Sequence, residues 1–255
     1  MEEHMHDDAT LGVMLARAAG EELLRVREVS GLEGRALGDA GDAAAQALLA
    51  GLLAEHRPAD AVLSEEAKDS AMRLSADRVW IIDPLDGTRE YSEGRADWAV
   101  HVALWEAGEL VFGAVAIPGE DMVMDSSSVA TVPAGEPGAP VRLAVSRSRP
   151  PAVTEPVRAA LGAELVAMGS AGVKIAAVVR GQVDAYVHAG GQYQWDSAAP
   201  VALARAAGLH TSRIDGSPLV YNDPDPYLPD LVVCRPELAG PILAAIAGEP
   251  HGGTA

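Results

Sequence analysis

The sequence is poor in cysteine, which excludes a fold held together by disulfides within the chain. Its one cysteine, Cys234, has no partner elsewhere in the sequence. Cys234 closes the largely apolar stretch 230–234, which predicts a strand. A thiol in such a strand is more typical of a buried structural residue than of a nucleophile.

Long hydrophobic runs are absent as well. No stretch of the sequence approaches the about 18 apolar residues that a membrane-spanning helix needs. The segment 1–8 is acidic and contains histidine, without the basic start and apolar centre of a secretory signal. We therefore expect a cytoplasmic protein.

Basic residues are scarce relative to acidic ones. The 255 residues include 19 Lys and Arg against 37 Asp and Glu, a formal net charge of −18. This balance argues against DNA, RNA or an anionic membrane surface as a partner. A small phosphorylated substrate remains compatible with it, because bound cations reverse the local charge of a site.

A short apolar run at residues 79–82 is followed by two closely spaced carboxylates. The run predicts a buried strand, with Asp83 at its end and Pro84 opposing further strand pairing. Asp86 follows three positions after Asp83. Two carboxylates at close range repel each other unless a cation lies between them, and Mg²⁺ prefers such oxygen ligands. Taken alone, an Asp-Gly pair is more typical of a turn or a helix cap.

Three sequence blocks together resemble the Mg²⁺-dependent, lithium-sensitive superfamily of inositol monophosphatases. They are Ser-Glu-Glu at 64–66, Trp-Ile-Ile-Asp-Pro-Leu-Asp-Gly-Thr at 80–88 and Trp-Asp-Ser-Ala at 195–198. Within that superfamily, the stretches 86–91 and 145–149 look most like the CysQ-type branch, which acts on 3′-phosphoadenosine 5′-phosphate. The resemblance implies an α/β fold of α+β layers, a five-layered αβαβα sandwich of the inositol monophosphatase/fructose-1,6-bisphosphatase type.

The resemblance also implies a metal site of two or three Mg²⁺ ions, in which one metal activates water and another stabilises the leaving oxygen. Its ligands would be Glu65, Asp83, the Leu85 carbonyl, Asp86 and Asp196, with Asp83 bridging two ions. Thr88, with Glu65, would orient the attacking water. Asp42 is either an outer carboxylate of the site or a plain cap of its helix, and Asp39 competes for that role. Asp196 could likewise be only a helix cap.

Substrate contacts are assigned to the residues around the scissile phosphate and to two basic positions. They are Leu85, Asp86, Gly87, Thr88, Ser146, Arg147, Ser170, Lys174 and Asp196. The backbone amides of Gly87 and Thr88 would hold phosphate oxygens. Arg147 and Lys174 would meet a second phosphate, although a solvated loop and a surface lysine are equally good interpretations.

Three further features bear on the substrate. Arg149 and Gln194 depart from the resembled pattern, which often has histidine and glutamate there. Tyr193, beside Asp196, could stack on adenine. His101 and His188 lie on strands, where we expect satisfied core or surface residues rather than ligands.

The element pattern divides the chain into an N-terminal region, residues 1–140, with most metal ligands, and a C-terminal region, residues 141–255, with Asp196 and substrate contacts. The first contains a helix with apolar residues from Leu11 onward, a helix from about residue 41 to 56, and a hairpin at 98–117. The second alternates strands at 141–145, 164–168, 183–188, 209–214 and 231–234 with helices at 152–161, 171–180, 197–207 and 236–247.

Three functions stay open at this stage. The first is a Mg²⁺-dependent 3′(2′),5′-bisphosphate nucleotidase that converts 3′-phosphoadenosine 5′-phosphate to AMP and phosphate in sulfur assimilation. The second is a phosphatase of inositol 1-phosphate or fructose 1,6-bisphosphate. The third is a non-catalytic binding protein on the same fold, which the intact carboxylate set opposes. A homodimer is also left open.

Overall fold

The chain folds into five alternating layers of helix and sheet. The computed structural model describes residues 7–136 and 138–248. The expectations for segment 1–6, for residue 137 and for residues 249–255 lie outside these ranges. The five-layered αβαβα expectation is confirmed.

The first outer layer and the first sheet come from the first half of the chain. Two helices, α1 (Asp8–Val29) and α2 (Gly34–His56), cover one face of the sheet. A short helix, α3 (Thr88–Ser92), follows the second strand. The strands lie in sequential order, and only the first pair is parallel: β1 (Ala61–Ser64), β2 (Arg78–Asp86), β3 (Ala99–Glu106), β4 (Glu109–Ile117) and β5 (Met122–Asp125).

The second half supplies the central helices, the second sheet and the last layer. The sheet has the order β7-β6-β8-β10-β9, formed by β6 (Arg142–Ser146), β7 (Glu164–Met168), β8 (Ala185–Ala189), β9 (His210–Ser212) and β10 (Asp230–Cys234). Helices α5 (Ala171–Val179) and α6 (Gln194–Ala206) lie between the sheets. Helices α4 (Thr154–Leu161) and α7 (Pro236–Ala247) cover the outer face.

The central core joins the two halves. Every residue of α5 is buried, as expected for a helix whose residues are apolar on all sides except for Lys174. Helices α5 and α6 pack against the first sheet as well as the second, so side chains from both halves share one core. The division of the chain near residue 140 stays a prediction.

Strand alternation decides which side chains of the first sheet face this central layer. In β2, Val79 and Ile81 belong to the central core, whereas Trp80 and Ile82 face the α1/α2 side. Because side chains alternate along a strand, Asp83 points to the same face as Ile81. The register pairs Asp83 with His101 of β3. Both polar side chains therefore face α5 and α6.

A β-bulge brings the second carboxylate to the same face as the first. Asp83 pairs with His101, but the next paired position joins Asp86 to Ala99, so β2 carries one extra residue there. In a regular strand, a residue three positions after Asp83 would point to the opposite face, because alternation has a period of two, and the bulge returns Asp86 to the face of Asp83. Pro84 lies within the bulge, where the missing N–H of proline is tolerated.

The start of α2 corrects the sequence-based expectation. The helix begins at Gly34 rather than near residue 41, so Asp42 lies inside α2 and not at its N-terminus. The interpretation of Asp42 as a plain helix cap is therefore wrong. The strand around Cys234 is confirmed, and burial raises the pKa of its thiol to about 12. No helix within the described residues is long and apolar enough to span a membrane.

Candidate metal and phosphate site

Three carboxylates converge where β2 ends and α5 and α6 begin. One oxygen atom from each of Asp83, Asp86 and Asp196 lies within 4.8 Å of the other two. Asp83 and Asp86 are buried, and Asp196 lies in the first turn of α6. Such a group of acidic oxygens could hold a metal ion.

Asp83 shows most clearly that this group suits a cation. Its Oδ1 accepts the backbone N–H of Leu85 at 3.0 Å, but its buried Oδ2 has no hydrogen-bond partner. Burial, followed by the charges of Glu65 and Asp86, raises its pKa well above the usual range for aspartate. An unpartnered carboxylate oxygen among further carboxylates is what a metal ligand requires, so the residues fit a bound metal.

Asp86 has the opposite environment. It accepts hydrogen bonds from the Ser170 hydroxyl at 2.5 Å, Ala171 N–H at 3.2 Å and Gly172 N–H at 2.7 Å. These amides form the N-terminus of α5, which stabilises negative charge. Burial acts to raise the pKa of Asp86, but these bonds and the neighbouring His101 outweigh it and lower the pKa to about 2.

The turn at Ser170 is held by a buried lysine. Ser170 is the N-cap of α5, with a φ of 47°, which is unusual for a residue other than glycine. The Lys174 ammonium donates to the carbonyls of Gly169, at 3.1 Å, and of Ser170. Lys174 is 4% exposed, so its interpretation as a surface lysine is wrong. Burial lowers the pKa of this ammonium, and the carboxylates around it, Asp86 among them, oppose that effect.

His101 belongs to the site, although the sequence suggested only a core or surface residue. Its Nδ1 lies 3.1 Å from the Trp195 carbonyl, which can only accept, so this contact requires a proton on Nδ1. Its Nε2 lies 3.2 Å from Asp86 Oδ2 without hydrogen-bond alignment. Burial acts against the charged imidazole, yet Asp86 raises the pKa of His101 overall. The sequence signal was the position of His101 between two small residues of the same face of β3, Ala99 and Ala103.

Asp196 is held from within its own helix. Its Oδ2 accepts the N–H of Tyr193 at 2.7 Å. Tyr193 is the N-cap residue and Asp196 follows it inside α6, so the interpretation of Asp196 as the cap itself is wrong. Burial and the charge of Asp86 raise the pKa of Asp196 to about 7.

Two further acidic residues and a threonine surround the carboxylate group. Glu65 directly follows β1 and is exposed as a residue, but its carboxylate faces this group. Partial withdrawal of the carboxylate from water and the nearby Asp42 raise its pKa to about 7, while contact with Asp83 opposes the rise. The Thr88 hydroxyl lies 3.2 Å from the Leu85 carbonyl and also bonds Asp42.

Asp42, rather than Asp39, faces these residues. Asp42 is 8% exposed, and burial followed by the charge of Glu66 raises its pKa to about 7. The side chain of Asp39 is 67% exposed and lies 3.6 Å from Arg35 on the surface of α2. Only Asp42 can therefore support Thr88 from this helix.

Gly87 joins β2 to α3 with a backbone that favours glycine. Its φ is 91°, and a Cβ atom there would lie 3.3 Å from the Cβ atoms of Ser170 and Trp98. Glycine thus brings the start of α3 against the Ser170 turn.

The structure places Ser146 and Arg147 apart from the carboxylates. The Ser146 hydroxyl accepts the N–H of Arg149 at 3.2 Å. The Arg147 guanidinium donates to Glu90 at 3.0 Å and to Glu93 at 2.6 Å, so it is not a freely solvated loop residue. Glu90 lies against Gly169, which places Arg147 beside the Ser170 turn.

Gln194 has a structural task that glutamate could not perform. Its side-chain oxygen accepts Asn222 N–H at 2.6 Å, and its nitrogen donates to the carbonyls of Asp223 at 3.3 Å and Asp225 at 3.0 Å. A carboxylate has no proton to give to these carbonyls. The buried Gln194 therefore fastens the loop 222–225 to the start of α6 instead of facing substrate.

The fold and the carboxylate group, which could hold a metal ion, are those of a known class of phosphatases, as comparison with known proteins shows. Residues 7–247 match the inositol monophosphatase family, and the chain belongs to that family. A 3′-phosphoadenosine 5′-phosphate phosphatase of Mycobacterium leprae is 53% identical over 255 residues, covering 95% of this chain and 94% of the relative.

More distant relatives support the same branch. The Escherichia coli K12 3′(2′),5′-bisphosphate nucleotidase CysQ is 31% identical, with 84% of this chain and 94% of that protein covered. The crystal structure of CysQ from Bacteroides thetaiotaomicron superposes with a TM-score of 0.78 at 26% identity, covering 91% of this chain and 98% of that chain. The resemblance to the CysQ-type branch is thus confirmed.

Proposed function

We propose that this protein is a Mg²⁺-dependent phosphatase that converts 3′-phosphoadenosine 5′-phosphate to AMP and inorganic phosphate. The observation that carries the proposal is the unpartnered Oδ2 of Asp83 among three buried or half-buried carboxylates. The group lies in a chain that is 53% identical to a relative named for this reaction. The acidic balance of the chain suits a small substrate whose charge is met by bound cations.

The metal-holding residues are those that the geometry brings together. Asp83, Asp86 and Asp196 supply the central oxygens, with Glu65 in contact with Asp83 and the Leu85 carbonyl close by. Bound Mg²⁺ would supply an activated water and charge neutralisation at the leaving oxygen. Asp86 also keeps its bonds to the start of α5, so its orientation is fixed before any metal binds.

Thr88 and Asp42 would orient the attacking water. The Thr88 hydroxyl donates to the Leu85 carbonyl at 3.2 Å and also has the Asp42 carboxylate within reach. With its one proton turned to Asp42, its oxygen can accept a hydrogen bond from the attacking water. Glu65 lies beside them and shares this task. The backbone amides of Gly87 and Thr88 would hold oxygens of the scissile phosphate.

Arg147 is the better placed cation for the second phosphate. It is part-exposed, and a phosphate would replace its bond to the exposed Glu93 while Glu90 keeps it in position. Lys174 would contribute positive charge from within the protein, since its buried ammonium already donates to the Gly169 and Ser170 carbonyls and holds the Ser170 turn. Ser146 and Ser170 would contact the substrate through their hydroxyl groups, whose oxygens accept the N–H of Arg149 and of Val173 in the structure.

A substrate panel tests the proposal. Initial rates of phosphate release are measured with Mg²⁺ on 3′-phosphoadenosine 5′-phosphate, inositol 1-phosphate and fructose 1,6-bisphosphate. We expect the nucleotide to give the highest kcat/KM, with AMP as its product by chromatography. A higher kcat/KM for inositol 1-phosphate or fructose 1,6-bisphosphate would show that the protein prefers that substrate. No phosphate release from any of the three would indicate a non-catalytic protein.

A further inference from the structure

Two exposed tyrosines stand directly beside the carboxylate group. Tyr193 is 40% exposed and Tyr227 is 44% exposed. The Tyr193 ring stacks on Trp195, with centroids 4.9 Å apart and an interplanar angle of 7°. The Tyr227 ring meets Tyr193 edge to face, with centroids 5.4 Å apart. We call these three residues the aromatic platform.

The backbone holds the platform rigidly. Tyr193 and Tyr227 pair as an isolated antiparallel bridge. On either side of this bridge, Gln194 N–H donates to the Pro226 carbonyl at 2.8 Å, and Leu228 N–H donates to the Gln192 carbonyl at 3.0 Å. Ring positions are thus fixed without a ligand, which lowers the entropy cost of binding.

The platform is continuous with the metal-holding residues. Tyr193 N–H donates to Asp196 Oδ2 at 2.7 Å, and the Trp195 carbonyl lies 3.1 Å from His101 Nδ1. Trp195 itself packs on the central core. The backbone of the platform is therefore bonded directly to Asp196 and to His101, two residues of the site.

We propose that the aromatic platform binds the purine base of the substrate by stacking and so selects a nucleotide over a sugar phosphate. This inference rests on the proposed function. Every nucleobase offers a π-face to an aromatic side chain, whereas inositol and fructose have none. The uncharged phenol groups also add no further negative charge beside a phosphorylated ligand, in a chain of net charge −18.

Two variants of one position test the platform. Tyr193→Ala removes the ring, whereas Tyr193→Phe keeps it, and both keep the backbone N–H that holds Asp196. We measure kcat/KM with Mg²⁺ for 3′-phosphoadenosine 5′-phosphate and for inositol 1-phosphate. Quenching of tryptophan fluorescence by AMP in chelated protein gives the affinity for the base independently, because Trp195 belongs to the platform.

Loss of the ring should lower kcat/KM for the nucleotide by about tenfold or more and weaken AMP binding equally, since base stacking is worth ~1–3 kcal/mol. The Tyr193→Phe variant should stay within about threefold of the wild type. Inositol 1-phosphate should change little with either variant. Equal losses of kcat/KM on both substrates, or unchanged AMP binding by Tyr193→Ala, would contradict base binding by the aromatic platform.

The same measurements separate this inference from the proposed function. If the wild type hydrolyses the nucleotide and Tyr193→Ala does so equally well, the platform is wrong and the proposed function stands. If the wild type does not hydrolyse the nucleotide, the proposed function is wrong, and the platform as a substrate-selecting surface is wrong with it.

Discussion

At the scale of single residues, the carboxylates of the site differ in how fully they are partnered. Asp86 is bonded on both oxygens by the start of α5, whereas Asp83 has one buried oxygen without a partner. Asp86 therefore keeps its charge and orientation in the protein alone, whereas the proposed metal would supply the missing partner of Asp83. If it does, Asp83 should destabilise the fold when metal is removed.

Replacing Asp83 by asparagine should separate these two effects. Asp83→Asn should lower kcat/KM by about 100-fold or more, because charge stabilisation at the reacting centre is lost. Asp42→Asn, which acts through Thr88, should cost about 10- to 100-fold, and exposed Asp39→Asn should cost little. In chelated protein, thermal melting of Asp83→Asn should occur above the wild type, since like charges no longer repel. Equal rates for the Asp83 and Asp39 variants would contradict the assignment.

Arg147 should influence nucleotides selectively. Removing a charge-assisted contact to phosphate should cost ~1.5–3 kcal/mol, so Arg147→Ala should lower kcat/KM for 3′-phosphoadenosine 5′-phosphate by roughly ten- to hundredfold. Inositol 1-phosphate has no second phosphate and should lose much less. Arg149→Ala, in the same loop, is the matched control. Parallel losses on both substrates would mean that Arg147 shapes the site through Glu90 and Glu93 instead.

Gln194 should matter for stability through its amide nitrogen. Gln194→Glu leaves the Asp223 and Asp225 carbonyls facing a carboxylate, which should lower the free energy of unfolding by ~1–3 kcal/mol. Chemical denaturation checks this value. The same exchange at the exposed Gln182 should stay within ~0.5 kcal/mol of the wild type. A Gln194 variant as stable as the Gln182 variant would show that the loop does not need these bonds.

Single residues also show which parts of the site could be predicted from the sequence and which could not. The blocks at 80–88 and 195–198 located the carboxylates, because metal chemistry restricts residue types strongly. His101, the Ser170 cap and the burial of Lys174 were not predicted, since each depends on contacts between distant segments. A histidine or lysine in an apolar stretch gives no sign of its partner until the register of the sheet and the place of α5 are known.

At the scale of elements, close packing against glycine positions the helices that carry the site. Gly113 of β4 lies so near α6 that an added Cβ would be 2.5 Å from the Ala199 carbonyl oxygen. On α2, a Cβ added at Gly38 would lie 2.7 Å from the Thr88 methyl group, and a Cβ added at Gly41 would lie 2.8 Å from the Tyr91 ring. These approaches let α2 and α6 meet the sheet and α3 closely enough to bring Asp42 and Asp196 to the site.

A methyl group at Gly113 should therefore be costly. Gly113→Ala should lower the free energy of unfolding by ~1–3 kcal/mol, because the backbone of α6 cannot move aside as a side chain would. Gly51→Ala, inside α2 with no atom near the new methyl, should raise it by ~0.5–1 kcal/mol. Denaturant titration of both variants gives the comparison. Stabilisation by Gly113→Ala would contradict the packing of α6 on β4.

The start of α2, which was misplaced in the prediction from sequence, is explained by close packing against glycine. The residues 34–41 contain three glycines and look like a loop, so α2 was expected to begin near residue 41 rather than at Gly34. Glycine disfavours helix by itself, but here its small size allows contact with α3, and packing decides. In contrast, the strand at Glu164–Met168 and the helix at Pro236–Ala247 were predicted with their observed bounds, since their patterns and flanking residues agree.

At the scale of the whole molecule, the five layers place acidic residues from distant parts of the chain at one point. Asp42 comes from the outer helix layer, Asp83 and Asp86 from the first sheet, and Asp196 from the central layer. The buried basic side chains that the structure describes near them, Lys174 and His101, are too few to balance four carboxylates. A bound metal would therefore join the layers as well as serve the proposed reaction, in a protein that is already strongly acidic.

If the carboxylate group is a metal centre that acts on a bisphosphate nucleotide, phosphate release must depend on added metal. The most direct measurement is the rate of phosphate release from 3′-phosphoadenosine 5′-phosphate by chelated protein as Mg²⁺ is added back. We predict no release in EDTA, recovery with saturable dependence on Mg²⁺ in the wild type, and recovery in Asp83→Asn only at much higher Mg²⁺. Full turnover of the wild type in metal-free buffer would contradict a metal centre at these carboxylates.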